Sequence, residues 1–178
     1  MRFLMVIGCL MCCGIATGQQ EFNQEVVKKM EVLGVYFMEP LDTDYKISYP
    51  SKKRRDQIFD YDFKIQLDDR EVLVRMIEET STSIISYPHL EFQRLMMHLA
   101  SNEEGSNIYY YDIPKEEGVD WMSEARFTPK EKLSNRKYGT AKLYYKEGRG
   151  MIQVIYLDKK LQTLFQPLAV FKTDQGEN

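Results

Sequence analysis

From residue 58 to residue 67 the chain reads IFDYDFKIQL. Phe59, Tyr61, Phe63, Ile65 and Leu67 alternate with Asp60, Asp62, Lys64 and Gln66. A period of two sends one set of side chains to a buried face and the other to water, the pattern of a half-buried β-strand. Asp68-Asp69-Arg70 follows as a turn, and Val72 to Ile77 is apolar again. So short a connection joins antiparallel neighbours, because a parallel pair needs a crossover of a dozen or more residues. The chain must therefore build an antiparallel sheet and cover at least one of its faces.

A second hairpin is expected from Lys137–Lys146 and Met151–Leu157, around Lys146-Glu147-Gly148-Arg149-Gly150, whose glycines permit the positive φ angles of a tight turn. Shorter strands are expected at Tyr45–Tyr49 and Ile108–Ile113. Phe22, Val26, Met30 and Leu33 recur at helical spacing and mark a helix over 20–33, bounded by Gly34 and Pro40. Pro88 opens a second helix, His89–Ser101, with Phe92, Leu95, Met96 and Leu99 as its core stripe. A short helix is expected around Trp121, over Val119–Phe127, and a closing helix over Lys159–Phe171, with Pro167 as a kink or stop. The order is α, β-hairpin, α, β, α, β-hairpin, α. It defines an α+β fold with a mostly antiparallel sheet of two hairpins plus a strand, packed by helices in a single domain.

All three cysteines, Cys9, Cys12 and Cys13, lie in the opening MRFLMVIGCLMCCGIATGQQ. Arg2 gives a positive start, Phe3–Ile15 is apolar over about 13 residues, and Ala16-Thr17-Gly18 precedes a polar run. These are the parts of a secretory signal peptide, and the apolar run is too short to span a ~30 Å hydrocarbon core. Residues 1–18 are therefore expected to be removed, with the domain over 19–172 and a disordered tail over 173–178. A cut after Ala16 fits almost as well. Val6-Ile7-Gly8-Cys9 has the form of a lipobox, so lipid anchoring at Cys9 is the alternative, but only five apolar residues precede Gly8. A chain starting at Gln19 has no cysteine, which excludes disulfides, thiolate catalysis and Cys-ligated zinc. Its net charge of −3 becomes −4 once Arg2 is gone. That mild acidity opposes a nucleic-acid-binding face. No later apolar run is long enough to cross a membrane as a helix, so the mature chain is expected to have no transmembrane segment.

The string of elements from Tyr45 to Phe171 resembles the PsbP-like and DcrB-like group of small exported α/β proteins. The signal ending in Thr17-Gly18-Gln19 resembles those of exported Bacteroidota proteins. The resemblance implies a non-enzymatic accessory or binding domain and carries over no site residue. The helix before Tyr45 lies outside it.

Motifs for catalysis are sparse. His89 and His98 sit nine residues apart, ~13.5 Å along a helix at ~1.5 Å per residue, too far to share one ion. Glu91, Arg94 and His98 share a polar helix face and could supply an acid, a cation and a base; a solvated ion pair explains Glu91 and Arg94 equally. Asp60 and Asp62 point the same way from their strand, without the glycine and terminal glutamate of an EF-hand. Lys52-Lys53-Arg54-Arg55 reads as a solvated basic loop. No Gly-x-Ser-x-Gly and no phosphate-binding Gly-rich loop is present. No metal or cofactor is expected.

Tyrosines carry the remaining signal. Tyr109 and Tyr111 share one strand face while Tyr110 takes the other, and Tyr144 and Tyr145 divide in the same way. Exposed tyrosines on a sheet can hold a sugar, a peptide or a protein. The expected function is an exported, non-enzymatic accessory or binding domain of the bacterial cell envelope, periplasmic or extracellular. It would recognise a protein partner or small ligand through Tyr109, Tyr110, Tyr111, Tyr144 and Tyr145. The alternative is a cysteine-free hydrolase or lyase using Glu91, Arg94 and His98 or the acidic cluster.

Overall fold

Seven antiparallel strands form the sheet that organises this chain. A computed structural model describes residues 22–38, 40, 44–50, 58–81, 85–111, 118–162 and 168–172. Its elements are α1 (Gln24–Leu33), β1 (Val35–Phe37), β2 (Lys46–Ser48), β3 (Phe63–Gln66), β4 (Arg70–Glu78), α2 (Pro88–Leu99), β5 (Tyr109–Tyr111), β6 (Trp121–Phe127), β7 (Tyr138–Lys146), β8 (Gly150–Asp158) and β9 (Ala169–Phe171). The large sheet runs β2-β3-β4-β8-β7-β6-β5, and β1 pairs with β9 in a separate ribbon. The fold is a single α+β domain with a mostly antiparallel sheet. Among the described residues, no helix is long and apolar enough to cross a membrane.

Every residue of β8 is buried, because both of its faces are covered. Ile152, Val154 and Tyr156 enter one core with Val26, Met30 and Leu33 of α1; Met151, Ile155 and Leu157 enter a second with Phe92, Leu95 and Met96 of α2. The two helices are offset: α1 packs against β4, and α2 against β6 and β7 on the opposite face. Asn23 caps α1 by accepting from the Val26 N–H at 2.8 Å. Gly34 ends that helix at φ 63°, a left-handed stop that turns the chain straight into β1. At the other end of the second helix, Lys130 Nζ donates to the carbonyls of Met97 (2.8 Å) and His98 (3.0 Å), placing a cation at the negative end of α2.

Three expectations change. Residues 121–127 form a strand, not a short helix: β6 pairs with β7 residue for residue from Trp121↔Tyr145 to Phe127↔Gly139. The pairing satisfies the backbone, and the alternation of Trp121, Ala125 and Phe127 with Met122, Glu124 and Arg126 fits a pleat. The closing helix is replaced at its end by β9, which pairs with Val35–Phe37, and Leu161, expected on a buried stripe, is exposed. Pro167 lies outside the described residues.

The strand expected from Ile58 begins only at Phe63. Phe59 and Tyr61 join the α2-side core while Phe63 and Ile65 join the α1-side core, so the chain changes faces between them. Asp62 manages this change. Its backbone N–H donates to the Val74 carbonyl, and its carboxylate accepts from the Met76 N–H and from Lys29 Nζ of α1. That carboxylate is thus tied up in structure, while Asp60 is exposed. Residues 1–18, expected to be a signal peptide, the Lys52–Arg55 run and the expected tail over 173–178 lie outside the described residues.

Candidate functional site

Antiparallel register places residues of neighbouring strands in rows across the sheet. On the α1 side one row runs Val72, Tyr156, Thr140, Arg126, Tyr109, and the next runs Val74, Val154, Lys142, Glu124, Tyr111. Each row is apolar at β4, where α1 covers it, and becomes polar and aromatic towards β5. The offset of α1 leaves a cleft of about 290 Å³ at the β5 end, walled by Tyr109, Tyr111, Tyr138, Arg126, Thr140 and Asp158. Tyr109 is 57% exposed, Tyr111 38% and Tyr138 40%. This cleft sits at the small end of the ~300–1,000 Å³ range of ligand pockets.

The charges on and behind its wall are mostly paired. Lys142 Nζ lies 3.3 Å from Glu124 Oε2, both side chains nearly enclosed. Arg70 Nε donates to Asp158 Oδ1 at 2.6 Å, and its guanidinium stands 5.5 Å over the Tyr156 ring. Arg126 lies with its guanidinium 4.8 Å over the Tyr111 ring, a cation–π contact. Its Nε is 3.7 Å from Glu124 Oε1 and has no hydrogen-bond acceptor among the described residues. Of these charges, Arg126 and Asp158 line the cleft itself, and Asp158 is already bonded to Arg70.

Burial raises the Asp158 carboxyl above its ordinary 3.8, and Arg70 offsets only part of that rise. A carboxyl raised by folding adds stability below its unfolded pKa, and that contribution is lost as pH climbs through the folded value. Asp158→Asn, which still offers Arg70 an acceptor, is therefore expected to lose more stability relative to wild type at pH 3 than at pH 7. Urea unfolding of both proteins across this range checks it; a larger loss at pH 7 would mean that the Arg70 pair dominates.

The other expected binding tyrosines are elsewhere. Tyr110 is half exposed on the α2 side, its ring 6.0 Å from Phe92. Tyr144 is 1% exposed in the α1-side core and Tyr145 is 9% exposed in the α2-side core. At this end of β7 both faces are covered, so neither of these two presents a ring to a partner. Tyr145 instead donates to Glu79 Oε2 at 3.2 Å; burial first, then that carboxylate, pushes its hydroxyl up to about 12. Glu79 also accepts from the Gly148 and Ile85 N–H groups, so it braces two turns.

Glu91 and Arg94 line a different cleft, of about 470 Å³, between α2 and the Ile77–Met151 end of the β4–β8 ladder. They form a solvent-facing pair at 3.1 Å. His98 is exposed and does not line that cleft, so acid, cation and base do not converge there. A third cleft, of about 620 Å³, lies on the α2 side between Phe59, Lys64, Glu71 and the turn at Leu133. It is larger, but of its two aromatic residues Phe59 is buried in the core, and it contains none of the expected residues. No group of three metal-binding side chains occurs among the described residues.

Arg126, Tyr138, Thr140 and Asp158 were not singled out from the sequence. Reading Trp121–Phe127 as a strand would have set Arg126 on one face with Glu124, but its meeting with Tyr109 and Tyr138 depends on long-range register. The chain matches no family model, no curated protein and no solved structure.

Proposed function

We propose that this chain is an exported, non-enzymatic binding domain of the bacterial cell envelope that takes a small ring-bearing ligand in the cleft at the β5 end of the sheet. One observation carries the site: four exposed large side chains, Tyr109, Tyr111, Tyr138 and Leu161, meet in one concave place. Scattered exposed aromatics need no explanation, whereas convergent ones offer ring faces for stacking beside polar groups that fix orientation. Thr140 and Asn107 supply such groups here. The export half of the proposal rests on the leader sequence at residues 1–18.

Both halves can be read from one preparation. The full chain, produced in a bacterial host and recovered from the envelope fraction, is expected to have an intact mass beginning at Gln19. Titrating that species with a panel of sugars and aromatic rings should move the amide NMR signals of Tyr109, Tyr111 and Thr140. An uncleaved chain would overturn export. Shifts gathered around Leu90 and Arg94 would move the site to the α2 cleft.

A further inference from the structure

The cleft also specifies something about its ligand. Arg126 lines it and is partly exposed; its Nε has no hydrogen-bond acceptor among the described residues, and its ion pair with Glu124 is long, at 3.7 Å. The contrast with its neighbours is sharp. Arg70 is spent on Asp158, Lys142 on Glu124, and Arg136 on the Asp69 carbonyl and Glu71. A guanidinium has five N–H donors in a planar fork that fits a carboxylate through two parallel bonds. Stacking on Tyr111 holds that plane in place before any ligand arrives, which lowers the ordering cost of binding.

We infer that the cleft binds a monoanion, a carboxylate carried on a six-membered ring, with Arg126 taking the carboxylate and Tyr109 and Tyr138 flanking the ring. This rests on the reading of the cleft as a binding site. Charge favours it: Arg126 and Asp158 are the charged residues among the described lining, and Asp158 is already bonded to Arg70, which leaves Arg126 as the charge open to a ligand. Size favours it too, since 290 Å³ suits one or two rings and not a polymer. The wall is lined by side chains that stack and hydrogen-bond, and among the described residues it has no second cation for a dianion such as a phosphate monoester. Sugar acids and aromatic acids share this chemistry, so both enter the test.

Five probes, glucuronate, its methyl ester, glucose, benzoate and methyl benzoate, are titrated into the wild-type protein and followed by NMR at Tyr109, Thr140 and the Arg126 side-chain Nε–H. At least one acid is expected to bind about tenfold or more tightly than its own ester. A preference confined to glucuronate identifies a sugar source, and one confined to benzoate an aromatic source. Arg126→Gln should reduce the acid to the affinity of the ester. Arg126→Lys should keep part of the preference, because it retains the charge without the fork. The ester comparison uses unaltered protein, so it stands even if a variant fails to fold. Equal binding of acid and ester at these residues would overturn the carboxylate and leave the cleft as a site for neutral rings. No shift with any of the five would overturn both.

Discussion

Replacing Gly150 by alanine should cost about 3–5 kcal/mol and lower the melting temperature by about 10 °C. Gly150 opens β8 at φ 134°, a conformation that side chains rarely adopt. A Cβ there would lie 2.0 Å from the Ile77 carbonyl oxygen and 2.9 Å from the Glu79 nitrogen. Both are backbone atoms of the neighbouring strand region and cannot rotate away. Relief requires β8 to move off β4, and the β4–β8 ladder is the centre of the sheet. Gly148 provides the control. Its φ is 72°, but nothing lies within 4 Å of a Cβ built there, so Gly148→Ala should cost only about 1 kcal/mol. Urea unfolding of the two variants separates close approach from turn strain. Equal losses would show that the β4–β8 junction yields easily.

A second large effect is expected at Lys142. With Glu124 it forms a nearly enclosed ion pair, and removing one partner of such a pair leaves a desolvated charge behind. Lys142→Met should cost about 2–4 kcal/mol, the lower end applying if Arg126, 3.7 Å away, takes over part of the pairing. Adding Glu124→Leu to that variant should restore most of the loss, because a well-packed apolar pair can match a buried ionic one. A double-mutant cycle by denaturant unfolding reads the coupling directly. A single-variant loss below about 0.5 kcal/mol would place these charges in water.

Local patterns were legible where one element decides its own surroundings. The α1 and α2 stripes, the β7–β8 hairpin and the Asp68–Arg70 turn all follow from spacing within a few residues. What spacing could not show was the partner of each strand. Ile58–Leu67 alternates without a break, yet the chain crosses the sheet plane at Asp62, because the Asp62 carboxylate can bond the Met76 N–H of β4. Trp121–Phe127 became a strand because β7 was there to pair with it. The three-residue strands β1 and β9 find their strand partners in each other, far apart in sequence.

The same limit applied to the candidate site. A run of three tyrosines stands out in any reading, and two of them do line the cleft. Tyr144 and Tyr145 look equally promising in isolation, but they sit where β7 is covered on both sides. Arg126 gave no signal by itself. Its environment comes from β5 and β7, and from the position of α1 over the other half of the sheet.

The β4–β8 pairing also governs how the chain must fold. Arg70 and Asp158, at one end of that ladder, are 88 residues apart in sequence. The β3–β4 and β7–β8 hairpins can each form within microseconds from nearby residues. Joining them requires closing a long loop, an entropic cost that precedes any reward from contact. Until it closes, one edge of β8 is open, and the strand carries apolar side chains on both faces. An unjoined β7–β8 hairpin is thus a template for intermolecular pairing. The central seam that gives the native sheet its strength is also the step at which crowding of unfinished chains would divert them into aggregates.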